Sequence, residues 1–182
     1  MKKLNVKTVV FAGVLIAMNI ILTRVFGIDL GPSLRISFGA VPIFLSGLWM
    51  GPVVGGLCGG VADVIGCIMK GYAFNPFITM TTMLAGIIPG VMKKYVFKGK
   101  LRAWHIAIMV VMQGLLGSMG FTTLGFHIFY GTPYAVLLPS RAIQTVGLVT
   151  ANTILVSVLY LSPLTKMVQQ SLVDRRNPKA KQ

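Results

Sequence analysis

The chain has 182 residues, of which 55% are hydrophobic and only 11% charged, and its mean hydropathy is +0.81. A soluble domain carries about a quarter charged residues, so this composition excludes a globule surrounded by water. The formal charge of +14, with Asp29, Asp63 and Asp174 as the only acids, does not point to nucleic acid: the basic residues are spread between long apolar runs instead of forming one wet patch.

A bilayer core about 30 Å thick takes roughly 20 residues of helix, and six apolar stretches are predicted to cross it. The first covers residues 7–26 and ends at Gly27. It is too long for the apolar region of a signal peptide and has no small-x-small cleavage site at its end, so it reads as a retained helix. The second covers 35–50 and is stopped by Gly51-Pro52; the third follows at once, over 52–69. With so short a connection, helices two and three must form a tight antiparallel hairpin. The fourth is predicted over 75–92, the fifth over 103–126 and the sixth over 139–161. The expected fold class is therefore all-α: a polytopic membrane bundle over residues 1–165, followed by a basic tail over 166–182. Cys58 and Cys67 lie inside apolar stretches, without a Cys-x-x-Cys or Cys/His cluster, and read as small buried hydrophobes.

Charge orients this bundle. The N-terminus, the loop between helices four and five, and the tail together hold every basic residue except Arg24, Arg35, Lys70 and Arg141. Basic residues collect on the cytoplasmic side, so both termini are expected there; six crossings allow this and an odd number does not.

The charges left on the outer side carry more information. Asp63 lies roughly 16 Å into the third helix at 1.5 Å per residue, close to the bilayer midplane. An ionisable residue there faces the bundle interior and marks a functional site by default; the plainer alternative is a structural partner for Arg35 or Arg141. Arg141 and Gln144 share a helical face, as do Asn75, Thr79 and Thr82. His127, Tyr130 and Tyr134 belong to the connection before helix six. Snorkelling accounts for Arg24 and Lys70 without a ligand, but less well for Arg35, which sits where a helix begins. Together these residues outline a polar cavity open to the outside, with three guanidinium groups and one buried carboxylate. A molecule with carboxylates and a neutral hydrogen-bonding ring would match it, because arginine forks bind carboxylates bidentately.

Motifs of catalysis are missing. The glycine-rich residues 51–66 lack the Gly-Lys-[Ser/Thr] ending of a phosphate-binding loop and read as close helix packing through small residues. No His-Glu-x-x-His and no Gly-x-Ser-x-Gly occur. No internal repeat with matching broken helices marks a self-contained carrier. The expectation is a binding protein, not an enzyme, that needs neither metal nor cofactor and draws its energy from partners.

One long segment resembles a known family. Leu34-Arg35-Ile36-Ser37-Phe38-Gly39-Ala40-Val41-Pro42-Ile43, then Ser46-Gly47, Gly51-Pro52-Val53-Val54-Gly55-Gly56-Leu57, Gly59, Ala62-Asp63 and Ile65-Gly66, are similar to the substrate-binding S-components of energy-coupling-factor (ECF) vitamin transporters. They resemble the folate-specific branch in particular, as does Leu138-Pro139-Ser140-Arg141-Ala142-Ile143-Gln144. The resemblance implies a multi-pass subunit of the bacterial plasma membrane that captures folate from outside. It implies as partners a transmembrane coupling protein and two cytosolic ATPases, besides the lipid bilayer itself. Ala12, Gly13 and Ala17 match the small-residue face that such proteins present to the coupling protein, although the same spacing also serves contacts within one chain. On this view Asp63 meets the ring's N–H groups, and Arg24, Arg35 or Arg141 meets the glutamate tail. Gln144, Asn75, Thr79, His127 and Tyr130 complete the binding set. Stacking on the ring could come from Phe38, Trp49, Tyr72, Phe74, Phe77 or Tyr130. Other readings stay open: an S-component for pantothenate, a queuosine precursor or riboflavin, a membrane-embedded enzyme, and an assembly subunit without a ligand.

Overall fold

A computed structural model describes residues 6–29, 35–97 and 101–173. Seven helices occur among them: α1 (Val6–Val25), α2 (Ala40–Met50), α3 (Pro52–Lys70), α4 (Pro76–Val96), α5 (Ala103–Tyr130), α6 (Tyr134–Leu161) and α7 (Pro163–Val173). Between α1 and α2 a minimal antiparallel pair, β1 (Ile28–Asp29) and β2 (Arg35–Ile36), sets Ile28 opposite Ile36. Five helices (α1, α3, α4, α5 and α6) are long and apolar enough to cross a membrane.

The second helix differs from expectation. Arg35 and Ile36 pair with β1 and leave the helix to begin at Ala40. What remains is 11 residues, about 16 Å of helix, too short to span a 30 Å core unaided. Its surroundings explain how it persists: Val41 through Leu48 are all buried, so the other helices enclose it. The apolar centre is built on this segment, where Ile43, Phe44 and Leu48 meet Ile106, Met109 and Val156.

The stretch 51–66 packs as its small residues suggest. A Cβ on Gly86 would overlap the carbonyl oxygen of Gly55, and one on Gly59 would overlap that of Thr82. Helices α3 and α4 therefore cross backbone against backbone. Gly51, at φ 98°, makes the hinge between α2 and α3, a backbone region that only glycine enters easily.

Several helices run past their predicted ends. The last turns of α1 and α4, Ile21–Val25 and Met92–Val96, are π-wound, and so is the middle of α5, Gly114–Thr122. Helix α6 begins at Tyr134 and carries Pro139 inside it, which helices packed in a bundle tolerate because neighbours satisfy the freed carbonyl. Residues 163–173, which include the start of the expected tail, form α7; Trp49 Nε1 donates to its Thr165 Oγ1 at 3.1 Å. The rest of the expected tail, from Asp174 on, lies outside the described residues.

The chain runs to and fro, so one end of the bundle gathers the C-terminal ends of α1, α3 and α5 with the N-terminal ends of α2, α4 and α6. Gly39 packs on Asn19 and Thr23 at that end. At the other, Lys93 Nζ donates to the carbonyl of Leu48 at 2.5 Å and lies over the Tyr160 ring.

Candidate functional site

A cavity of about 590 Å³ opens among α1 to α6 at the first of these ends. Asp63 is the residue from which its charge pattern follows. Helix α3 buries it, and a lone carboxylate cannot be buried cheaply. Two neighbours offset that cost. Thr79 Oγ1 on α4 donates to Oδ2 at 2.7 Å, and Arg24 Nη2 on α1 lies 3.5 Å from Oδ1. Among the described side chains, Arg24 fills the role of charge partner that had been considered for Arg35 or Arg141. The π turn at the end of α1 carries Arg24, whose guanidinium rests on bare backbone at Gly66, where a Cβ would collide with it. Tyr72 lies 5.7 Å below the guanidinium and the Cys67 thiol 3.8 Å away.

Across the cavity, Arg141 is buried on α6 and lies 4.6 Å over the ring of Phe126. Phe126 in turn stacks on Tyr130 at 5.2 Å. The ring face holds the guanidinium plane by cation–π attraction. Gln144 follows three residues on and also lines the space.

The third wall is the π segment of α5. Thr81 Oγ1 donates to Gly117 O at 3.1 Å and sits 2.9 Å from Thr122 Oγ1, while Thr122 Oγ1 donates to the same carbonyl. Widened π turns leave carbonyls poorly matched within the helix, and they concentrate at functional sites. Here the Thr81 hydroxyl of the neighbouring helix and the segment's own Thr122 both reach the Gly117 carbonyl.

Of the residues expected to bind, Arg24, Asp63, Asn75, Tyr130, Arg141 and Gln144 are brought into the lining, with Tyr72 and Thr82. Asn75 also caps α4, accepting from Phe77 N at 3.1 Å and donating to Gly125 O at 3.3 Å. Thr79 stands behind Asp63 instead of lining the cavity. His127 is outside the lining: its Nδ1 lies 3.1 Å from Thr132 O and its ring stacks on Tyr134 at 4.1 Å. Arg35 is placed by its backbone in β2, and its side chain lies outside the described residues. Among the stacking candidates, Phe38, Trp49, Phe74 and Phe77 stay out of the lining, leaving Tyr72 and Tyr130. On α1, Gly13 and Ala17 face outward and Ala12 is half-buried, with open space where a Gly13 Cβ would be.

Sequence reasoning passed over Asn19, Gln113, Phe126, Thr145 and Asn152, all of which line the cavity. A signal existed for two of them. Thr145 and Asn152 follow Arg141 by four and eleven residues, spacings that return to one helical face.

Comparison with known proteins identifies the family. Residues 7–173 match the family described as ECF transporter, substrate-specific component. The Folate transporter FolT of Clostridium novyi (strain NT) is 29% identical over 146 residues, covering 79% of this chain and 81% of that protein. The Folate transporter FolT of Leuconostoc mesenteroides is 27% identical over 134 residues, covering 72% and 70%. A crystal structure of FolT bound with folic acid superposes with a TM-score of 0.74 at 29% identity, covering 86% of this chain and 93% of that one.

Proposed function

This chain belongs to the substrate-specific components of ECF transporters, and from that premise we propose that it is the folate-binding membrane subunit of such an importer. The observation that carries the proposal is the cavity itself. At about 590 Å³ it falls within the range of small-molecule sites. It combines two guanidinium groups with buried amides and hydroxyls, a donor and acceptor set suited to a molecule with carboxylates at one end and a polar flat ring at the other. Two relatives named as folate transporters, similar over most of their length, support the same ligand.

The subunit captures folate from outside the cell and works with a transmembrane coupling protein and two cytosolic ATPases, which supply the energy. In the membrane α2 serves as the sixth crossing, short because five longer helices shelter it. Both termini lie in the cytoplasm. Lys93, Lys94, Arg102 and Lys166 stand at the end away from the cavity, as basic residues on the cytoplasmic side do. The cavity then opens outward, in the multi-pass subunit of a bacterial cell membrane. The outward-facing Gly13 and Ala17, beside Ala12, form the surface for the coupling protein, since small residues let helices approach closely.

Protein purified from cells grown with folate should carry it, and mass analysis of the released ligand identifies it. Cells expressing the chain with its partners should take up labelled folate, and an ATP-blind partner variant should not. A released ligand without carboxylates, such as riboflavin, would replace folate in this proposal.

A further inference from the structure

A second, smaller recess lies at the end of the bundle away from the cavity. The first turns of α1 and the last turns of α7 wall it, with Val6, Lys7, Val10 and Phe11 on one side and Ser171 on the other, around about 260 Å³. Val6 with Val10, and Lys7 with Phe11, stand four residues apart, so the α1 wall is one apolar stripe with a single cation set into it. Val6 and Val10 are exposed and Lys7 is half-buried. Lys7 has no ion-pair partner among the described residues. A lysine in this setting lays its stem along the apolar surface and keeps its ammonium at the wet edge.

Helix α7 shows which medium this groove meets. Its inner side is pinned to the bundle at the buried Thr165, which accepts from Trp49. Leu164 and Met167 are 49% and 63% exposed and share one face. Lys166 and Gln170, also exposed, share the next. A helix of this kind, too short to cross a bilayer, lies in the interface plane with its apolar face toward the acyl chains and its polar face toward the headgroups. The groove beside it is therefore at headgroup depth as well. Charge narrows the occupant further. Among the described residues the acids are Asp29 in β1 and Asp63 in the cavity wall, both toward the other end. In the sequence, Lys2 and Lys3 lead into the α1 wall, and Arg175, Arg176, Lys179 and Lys181 follow the α7 wall against one acid, Asp174.

We propose that the groove between α1 and α7 holds one anionic phospholipid of the cytoplasmic leaflet. An acyl chain lies along Val6, Val10 and Phe11, and the phosphate meets Lys7 and the Ser171 hydroxyl. This lipid site is independent of the cavity's ligand and takes from the orientation above only its leaflet. A lipid seated there ties the first helix of the bundle to the last. Val6, Val10, Gly13 and Ala17 fall on one stripe of α1, so lipid and coupling protein meet on neighbouring parts of the same face.

Native mass spectrometry of the whole purified chain, titrated with phosphatidylglycerol or phosphatidylcholine of matched acyl chains, reads the site. One phosphatidylglycerol should be retained about fivefold more tightly than phosphatidylcholine, the effect of one lysine at an anionic surface. Lys7→Gln should erase that preference, whereas Lys166→Gln, on α7 but outside the groove, should keep it. Val10→Trp, which fills the groove, should release both lipids. Phosphatidylglycerol should also raise the unfolding temperature of the unaltered protein and of Lys166→Gln more than that of Lys7→Gln, because a ligand of the folded state stabilises it. An unchanged preference in Lys7→Gln would overturn the site. Equal losses in Lys7→Gln and Lys166→Gln would overturn it too, since they would mean diffuse attraction to a basic surface. If Val10→Trp keeps the lipid and instead sheds the coupling protein from the purified importer, the groove belongs to that protein and the lipid assignment fails.

Discussion

Asp63 is costly to bury, and the residues around it read as the answer to that cost. Arg24 and Thr79 each engage one of its oxygens, so removing one partner leaves the other stranded. Arg24→Gln should lower stability by about 3–5 kcal/mol, the range for breaking a buried pair. The double variant Arg24→Gln/Asp63→Asn should recover most of that loss, and unfolding in detergent measures both. Gly66→Ala should act like a mild loss of Arg24, because its Cβ would push the guanidinium off its bed, and folate titration would register the change. At this scale the charged part of the site was legible in advance: an Asp inside an apolar run announces itself, and so does an Arg at a helix end. Asn152 and Gln113 did not, because an amide in an apolar helix passes as a tolerable polar residue until the cavity beside it is seen. His127 lies outside the cavity lining. It is polar and close in sequence to Tyr130, but the last turns of α5 aim it at Thr132 and Tyr134.

Among elements, glycine and threonine set how closely helices approach. Gly86→Ala should abolish folded protein, since the new methyl group has no route past the Gly55 carbonyl. Gly13→Ala should change stability by less than about 0.5 kcal/mol, as surface substitutions do, because open space surrounds it. Size-exclusion profiles after extraction would separate the two. Thr81→Val removes the hydroxyl that contacts the π segment of α5 at Gly117 and Thr122 and should cost about 1–3 kcal/mol. Hydrogen exchange should locate the loosening at residues 114–122. Helix positions were readable from apolar length, but two features were not. The late start of α2 depends on pairing between residues at 28–29 and 35–36, a non-local contact that apolar periodicity does not encode. In the π segment of α5 the Gly117 carbonyl is met by Thr81 of another helix as well as by its own Thr122, a non-local contact that residues 114–122 do not encode alone.

For the whole molecule, to-and-fro topology puts six helix ends around one cavity, and it follows directly from the order of apolar stretches. The proposed orientation rests on charge. Alkaline phosphatase fused after Val173 should be inactive in bacterial cells, while a fusion in the loop at Gly131 should be active; the reverse pattern would turn the cavity toward the cytoplasm. On the proposed orientation the cavity faces outward, where it would capture its ligand. The central claim is that the thing captured is folate. Isothermal titration of the purified protein with folate, without coupling protein or ATP, should show saturable binding of one folate per chain with Kd below about 1 μM, a free energy near −8 kcal/mol. Absence of saturable heat, or equal affinity for pantothenate and riboflavin, would contradict the claim.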